Sequence, residues 1–308
     1  MIARLARLLL LVQLAVAGLV ASALQRVWPD LSWLLAFLIG IFCVLLARAI
    51  ITANNFRLAA GVPGTAGLAA LDIGSALRLY GGELRATLVS SSWTMPFLQP
   101  RTFFAHNNAV PPVLLVHGYG CNGSYWWHLS KRLKLANITH CAVDLEPVLC
   151  AIDCYVPQLT AAIKMLQAAT GQPRIVIVAH SMGGLVARAW IRDHGSDSIA
   201  KLITLGTPHG GTVLARYGLG ENSRQMRPAG VPGGTLWLTQ LNTPAEPAVP
   251  TVSIYSMHDN IIAPRTSSHL PGAKNIVLRG IGHVALGSHP TVMSIVVREI
   301  RNALQPTA

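Results

Sequence analysis

Two long apolar runs open the chain. No charged residue lies between Arg7 and Arg26, or between Asp30 and Arg48. Each run is close to the length a membrane-spanning helix needs, about 20 residues. The pattern then changes period. Ile73, Leu77, Tyr80, Leu84 and Leu88 recur at helical spacing and predict one amphipathic helix. That helix could lie on a membrane surface or pack on a domain. From Pro112 onward the apolar runs shorten and alternate with helical patterns. Strands are expected over 113–116, 140–145, 175–178, 200–205, 251–256 and 275–278. Helices are expected over 124–135, 156–170, 185–190 and 290–304. Strands alternating with helices imply a mostly parallel sheet covered by helices, an α/β architecture. The organisation expected is an anchor over 1–53, a juxtamembrane connector over 54–110 and a globular domain over 111–308. A Gly- and Pro-rich insert at about 207–250 is expected to form a lid or cap.

Composition sharpens the first part. Hydrophobic residues make up 52 % of the 308 and charged residues only 12 %, about half the usual charged share. Trp28 and Trp33 flank the short connector as an interfacial aromatic belt would. Arg4 and Arg7 precede the first run, and Arg48 and Arg57 follow the second. That bias predicts a two-helix hairpin in a bacterial-type inner membrane, with the globular part cytoplasmic. Ala21-Ser22-Ala23 resembles a signal-peptide cleavage site, so a cleaved first segment is the alternative. Net charge is +12. No zinc-finger spacing or nucleic-acid motif accompanies it, so nucleic acid is not an expected partner. Anionic lipid headgroups and a generic basic surface explain the charge equally well. The five cysteines are odd in number. Cys150 and Cys154 are close enough to pair, but free thiols in a reducing compartment are the simpler expectation.

The chemistry concentrates at predicted strand ends. Ile175-Val176-Ile177-Val178 runs into Ala179-His180-Ser181-Met182-Gly183-Gly184 and then a helical pattern. Strand, sharp turn and helix, with Ser181 at the apex and small residues two before and two after it, form a nucleophile elbow. The first strand of the domain ends in His117-Gly118-Tyr119-Gly120, the fifth reaches Asp259 and the last reaches His283. Ligands in such sheets gather at the carboxyl ends of the strands. The chain order Ser…Asp…His is that of α/β-hydrolases.

On the motifs V-H-G-Y-G, A-H-S-M-G-G, G-T-P-H-G-G and the late D…G-H, the chain resembles the α/β-hydrolase superfamily, and within it bacterial lipases and esterases. The resemblance covers roughly 111–308. It implies an α/β-hydrolase fold behind the hairpin and serine-dependent ester hydrolysis without a cofactor. No metal is expected, because no acidic residue follows His283 where a calcium-binding relative would carry one. Ser181 is then the nucleophile, His283 its base and Asp259 the residue that orients the imidazole. The oxyanion hole would use the backbone amides of Met182 and Tyr119. His117, Gly118, Ala179, His180 and Gly183 would support the elbow and loop. Asp144 and His289 are the rivals for acid and base, and His258 should point opposite Asp259. Asp193 and Asp197 look like solvated carboxylates. Residues 206–211 would shape an acyl-pocket rim. Trp93, Phe97, Phe103 and Phe104 either border an acyl entrance or pack into the core. The expected substrate is a lipid-derived acyl ester met at the bilayer. A thioesterase, an acyltransferase and a non-catalytic membrane-linked module are the alternatives.

Overall fold

In the computed structural model, residues 1–62, 71–99, 102–107, 109–244 and 246–304 are described. Parts of the expected connector (63–70) and of the expected insert (Ala245), and the last residues of the expected domain, lie outside them. The chain begins with α1 (Ile2–Val27) and α2 (Trp33–Ala60), joined by a short turn. The Ser32 side chain accepts from the Leu35 amide and caps α2. The two helices cross where Gly40 meets Ala17. A Cβ at 40 would sit 2.3 Å from the Ala17 carbonyl oxygen, so only glycine allows this approach. Both helices are long and apolar enough to cross a membrane, and only 11 % of each apolar window is buried. Their leucines and phenylalanines therefore face outward, unlike those of a core helix. Helix α2 runs seven residues past the expected anchor boundary at 53, because Asn54-Asn55-Phe56-Arg57 continues the helical pattern without a breaker until Gly61.

Helix α3 (Ile73–Val89) matches the predicted amphipathic stripe, capped by Asp72 through the Ser75 amide at 2.9 Å. Only Leu79 and Glu83 of it are buried, and Ile73 and Leu77 stay exposed. It packs on α2, where the Tyr80 hydroxyl donates to the Ala49 carbonyl at 2.8 Å. A π-helical turn (Ser90–Thr94) and the short α4 (Met95–Phe97) follow. Trp93, Phe97 and Phe104 are exposed, so packing into the core does not describe them, whereas Phe103 is half-buried.

The body is one seven-stranded sheet in the order β1-β3-β2-β4-β5-β6-β7. Its strands are β1 (Thr102–Phe103), β2 (Val113–Val116), β3 (His140–Val143), β4 (Ile175–His180), β5 (Ile199–Leu205), β6 (Thr251–Ser256) and β7 (Lys274–Leu278). All neighbours pair parallel except β1, which is antiparallel to β3. The central strands β2, β4, β5 and β6 are buried along their whole length, as continuous β-branched runs require. Helices α5 (Trp127–Leu135), α6 (Val156–Thr170), α7 (Met182–His194), α8 (Glu221–Gln225), α9 (Trp237–Leu241) and α10 (Pro290–Arg301) complete the chain. One face of the sheet packs with α6, α7 and α9 around Leu159, Ile163 and Trp190. The other packs with α5 and α10 around Leu129, Leu133 and Val296. The insert is tied into the first of these cores through Trp237, Leu238 and Leu241.

One expectation is overturned. Cys150 and Cys154 form a disulfide, so they are not the free thiols the sequence suggested. The 3-10 turn Ile152–Tyr155 brings their Cα atoms to 6.2 Å, within disulfide reach. Cys43, Cys121 and Cys141 are free.

Candidate active site

The elbow is built where β4 meets α7. Ser181 has φ 54° and ψ −127°, a region a non-glycine residue enters only under strain. Such strain costs on the order of 1–3 kcal/mol and persists only where surroundings hold it. The Ser181 amide donates to the Leu205 carbonyl at 2.9 Å, and the Thr207 hydroxyl donates to the Ser181 carbonyl at 2.9 Å. Gly183 is required by proximity. A Cβ there would lie 2.6 Å from the Val116 oxygen and 2.5 Å from the His117 oxygen. Ala179 is fully buried and in register with Val116. Met182 opens α7, so its amide is one of the donors a helix leaves unsatisfied at its N-terminus.

Asp259 follows β6. Its Oδ1 accepts from the Ile261 and Ile262 amides, both at 2.8 Å, and its Oδ2 contacts His283 Nδ1 at 2.7 Å. The His283 amide donates to Asn260 Oδ1 at 3.0 Å. The imidazole is therefore held from its backbone and its ring by one loop. Burial would push the His283 pKa down. The Asp259 carboxylate, by charge and by hydrogen bond, and Glu83 behind it outweigh that, and the net shift is upward.

Ser181 and His283 meet through His180. The His180 ring lies 4.6 Å from the His283 ring, centroid to centroid, and its Nε2 lies 3.1 Å from the His283 carbonyl. Burial first, then the neighbouring His283, hold the His180 pKa well below its usual value. A neutral His180 thus donates from Nε2. Tyr125 stacks on its other side at 4.5 Å. No hydrogen bond joins the Ser181 hydroxyl to the His283 imidazole among the described residues. Such bonds commonly close only around substrate.

The loop after β2 faces the elbow. A Cβ at Gly118 would stand 2.8 Å from the Ser181 Cβ. His117 Nε2 accepts from the Leu145 amide at 3.0 Å, which leaves Nδ1 to donate to the Gly118 carbonyl at 2.9 Å. Burial chiefly pushes the His117 pKa down, in keeping with that neutral tautomer. The Tyr119 phenol carries a second role the sequence did not suggest. Its oxygen accepts from the Leu219 amide and donates to the Leu219 carbonyl, both at 2.9 Å, fastening the insert to this loop.

The rivals stand elsewhere. Asp144 accepts from the Gly123 amide, and His289 is the N-cap residue of α10, its carbonyl accepting from the Met293 amide at 3.0 Å and its amide donating to the Ala285 carbonyl at 2.8 Å. His258 Nδ1 accepts from the Gly280 amide at 3.0 Å. Asp193 pairs with Arg192 at the surface. Among the described residues, no group of three or more His, Cys, Asp or Glu side chains is placed to hold a metal ion.

Sequence reasoning missed Glu83. This carboxylate on α3 is 1 % exposed and accepts from the Val284 and Ala285 amides at 3.0 and 2.9 Å. It occupies the space above Gly282, where a Cβ would lie 2.4 Å from Glu83 Oε2. Burial raises its pKa, opposed by those two amides and by His283. A single Glu in an amphipathic stripe carries no sequence signal for this. Only its position among apolar neighbours on the buried face hinted that it has a partner.

Comparison with known proteins bears on the fold and on what the sequence is similar to. The family described as PGAP1-like alpha/beta domain matches residues 110–220. A triacylglycerol lipase of Pseudarthrobacter phenanthrenivorans is 29 % identical over 119 residues, 34 % of this chain and 35 % of the lipase. A pimeloyl-[acyl-carrier protein] methyl ester esterase of Vibrio atlanticus is 34 % identical over 95 residues, 31 % of this chain and 36 % of the esterase. The chain thus spans about a third of the length of the curated relatives it matches. Among solved structures, mature Bacillus licheniformis lipase superposes with a TM-score of 0.56 at 15 % identity, covering 66 % of this chain and 98 % of that one. The body of the protein has the α/β-hydrolase fold. Within that fold, its sequence similarity is to lipases and esterases.

Proposed function

We propose that the protein is a membrane-anchored serine hydrolase that cleaves carboxylic esters of lipid-like substrates. The observation that carries this reading is the 2.7 Å Asp259–His283 pair, in tilted ring contact with His180, the residue before a strained serine at a strand-to-helix elbow. The similarity to lipases and esterases supports the same reaction class. In this reading His283 Nε2 takes the proton from the Ser181 hydroxyl as its oxygen attacks the acyl carbonyl. Asp259 keeps the other ring proton on Nδ1 and stabilises the imidazolium. The amides of Met182 and Tyr119 receive the developing oxyanion. His283 returns the proton to the leaving alcohol, and water then hydrolyses the acyl-enzyme by the same steps. The insert at 207–250 would act as the lid, fastened by Tyr119.

The exposed apolar surface of α1 and α2 supports the anchor, since the hairpin offers the body little else to bury. The basic residues at both outer ends favour a cytoplasmic body. The Cys150–Cys154 disulfide points the other way, to an oxidising compartment, so the two signals predict opposite outcomes of one experiment. A C-terminal alkaline phosphatase fusion tests the orientation, and an active fusion reverses it. For the chemistry, Ser181→Ala should lower hydrolysis of p-nitrophenyl butyrate by roughly 10⁴-fold or more and abolish fluorophosphonate labelling. A variant with full activity refutes the serine mechanism.

A further inference from the structure

We propose that the seam between α1 and α2 is a binding site for one acyl lipid with a net-negative phosphate headgroup, opening toward the loop that holds Tyr119. The proposal rests on the bilayer reading above and deepens its substrate class. A cavity of about 430 Å³ lies along the seam, walled by Leu10, Leu14, Ile41 and Leu45, with Arg7 and Arg48 in its lining. Both arginines lie on the same end of the antiparallel pair, because Arg7 precedes Ala17 and Arg48 follows its partner Gly40. Apolar walls thus meet two cations in one cavity.

Those cations lack counter-charges. Arg48 is half-buried, and its guanidinium donates to the Ser92 hydroxyl at 2.7 Å, to Gln13 Oε1 at 3.4 Å and to the Ser91 hydroxyl. Every one of these acceptors is neutral. Arg7 donates from Nε to the Ala3 carbonyl at 3.2 Å. No carboxylate among the described residues pairs with either side chain. A guanidinium beside hydrocarbon without an anion is costly, and a lipid phosphate at headgroup depth supplies one. A neutral acylglycerol would leave the cations unmatched, and a free phosphate would leave the apolar walls empty.

The cavity also leads somewhere. A second one of about 220 Å³ shares Gln13 and Arg48 with it and reaches Met95 and Gly120. Gly120 is the residue after Tyr119, whose amide is assigned to the oxyanion. A lipid whose phosphate rests on Arg7 and Arg48, with its chains along Leu10, Leu14, Ile41 and Leu45, therefore has its headgroup end on the side of the catalytic loop.

The test uses the full chain, purified in detergent and reconstituted in nanodiscs. Native mass spectrometry should show the protein retaining phosphatidylglycerol over phosphatidylcholine. Arg48→Gln keeps hydrogen-bonding capacity but loses the charge, and should cut that preference roughly fivefold. Arg26→Gln removes the same charge at the other end of the hairpin and should keep the wild-type ratio. Leu14→Trp, filling the seam, should lower retention of both lipids. A ratio between two lipids is insensitive to a partly misfolded sample. Equal retention of the two lipids by the wild type, or an unchanged ratio in Arg48→Gln, overturns the site. Displacement of phosphatidylglycerol by millimolar glycerol phosphate would make it a site for free phosphate instead, and also overturns the proposal. Retention is measured again in Ser181→Ala, so a failure of lipid binding and a failure of the serine chemistry are read separately.

Discussion

The hairpin and the sheet body use apolar residues in opposite ways. In the body, Val113 through Val116 and Ile175 through Val178 are fully buried, and the polar residues that matter sit at the ends of those strands. In the hairpin, Leu11, Leu19, Leu34 and Phe42 are more than half exposed, and Arg48 reaches out of it to the Ser91 and Ser92 hydroxyls. The sheet body encloses its chemistry by turning apolar surface inward. The helix pair turns it outward, as a pair suited to a bilayer would. The two regions are joined by α3, which rests on α2 through Tyr80 and reaches the His283 loop through Glu83. The juxtamembrane segment is thus part of the site's support rather than a passive connector.

The largest effect should come from within the body. Asp259→Asn keeps the shape of the carboxyl group and loses its charge, so the imidazole can settle in the wrong tautomer. A fall in kcat of about 10⁴ is expected with esters of any chain length. The new side chain also keeps only one accepting oxygen, so it cannot accept all that Asp259 accepts from Ile261, Ile262 and His283. Steady-state kinetics on a soluble ester checks this, and a loss under tenfold breaks the assignment of Asp259 as the triad acid.

Glu83→Gln tests the bridge itself. One of its two accepted bonds, from Val284 or Ala285, would face an NH2 group instead of an oxygen. Roughly a tenfold fall in kcat is expected, since a charge-assisted bond of this kind contributes about 1.5–3 kcal/mol, only part of it expressed at His283. The pH profile separates positioning from general damage. Glu83 and Asp259 both favour the protonated imidazole, against burial. His180, Tyr125 and Cys121 also face this cluster and remain neutral in the working range, their pKa values displaced away from neutrality by burial. The base must be unprotonated, so activity falls as pH drops through the His283 pKa. Removing the Glu83 charge lowers that pKa, and the acid limb of kcat/KM should move to lower pH. An unmoved limb with reduced kcat would make Glu83 a packing residue only.

The fold and most of the site were legible because their signals are local. The elbow is a strand, a turn and a helix within a few residues, and the strained Ser181 sits where the small residues Ala179 and Gly183 said it would. Asp259 and His283 were legible because each follows a buried strand, and parallel strands deliver their ends to one edge. What escaped depends on contacts between segments distant in sequence. Glu83 lies some two hundred residues from the amides it binds. The Tyr119 phenol was passed over because its partner is a main-chain group at Leu219, which no side-chain pattern reveals. The two-residue β1 is too short for any period to show. The disulfide is hidden from a reading based on compartment, because a local 3-10 turn suffices to bring Cys150 to Cys154.

The smallest effect expected is at the other end of the bridge. Tyr80→Phe removes only the hydroxyl that donates to the Ala49 carbonyl, and keeps the ring packed against Phe56 at 6.5 Å. A helix carbonyl already accepts from its own helix, so little is left unsatisfied by the change. The cost should be about 1 kcal/mol. If α3 transmits the position of the hairpin to the His283 loop, this loss should appear more in vesicle-borne substrate turnover than in hydrolysis of a soluble ester. The ratio of the two rates is therefore the quantity to measure, in the same nanodisc preparation. A ratio equal to that of the wild type would confine the coupling to Glu83 and leave the hairpin as an anchor alone.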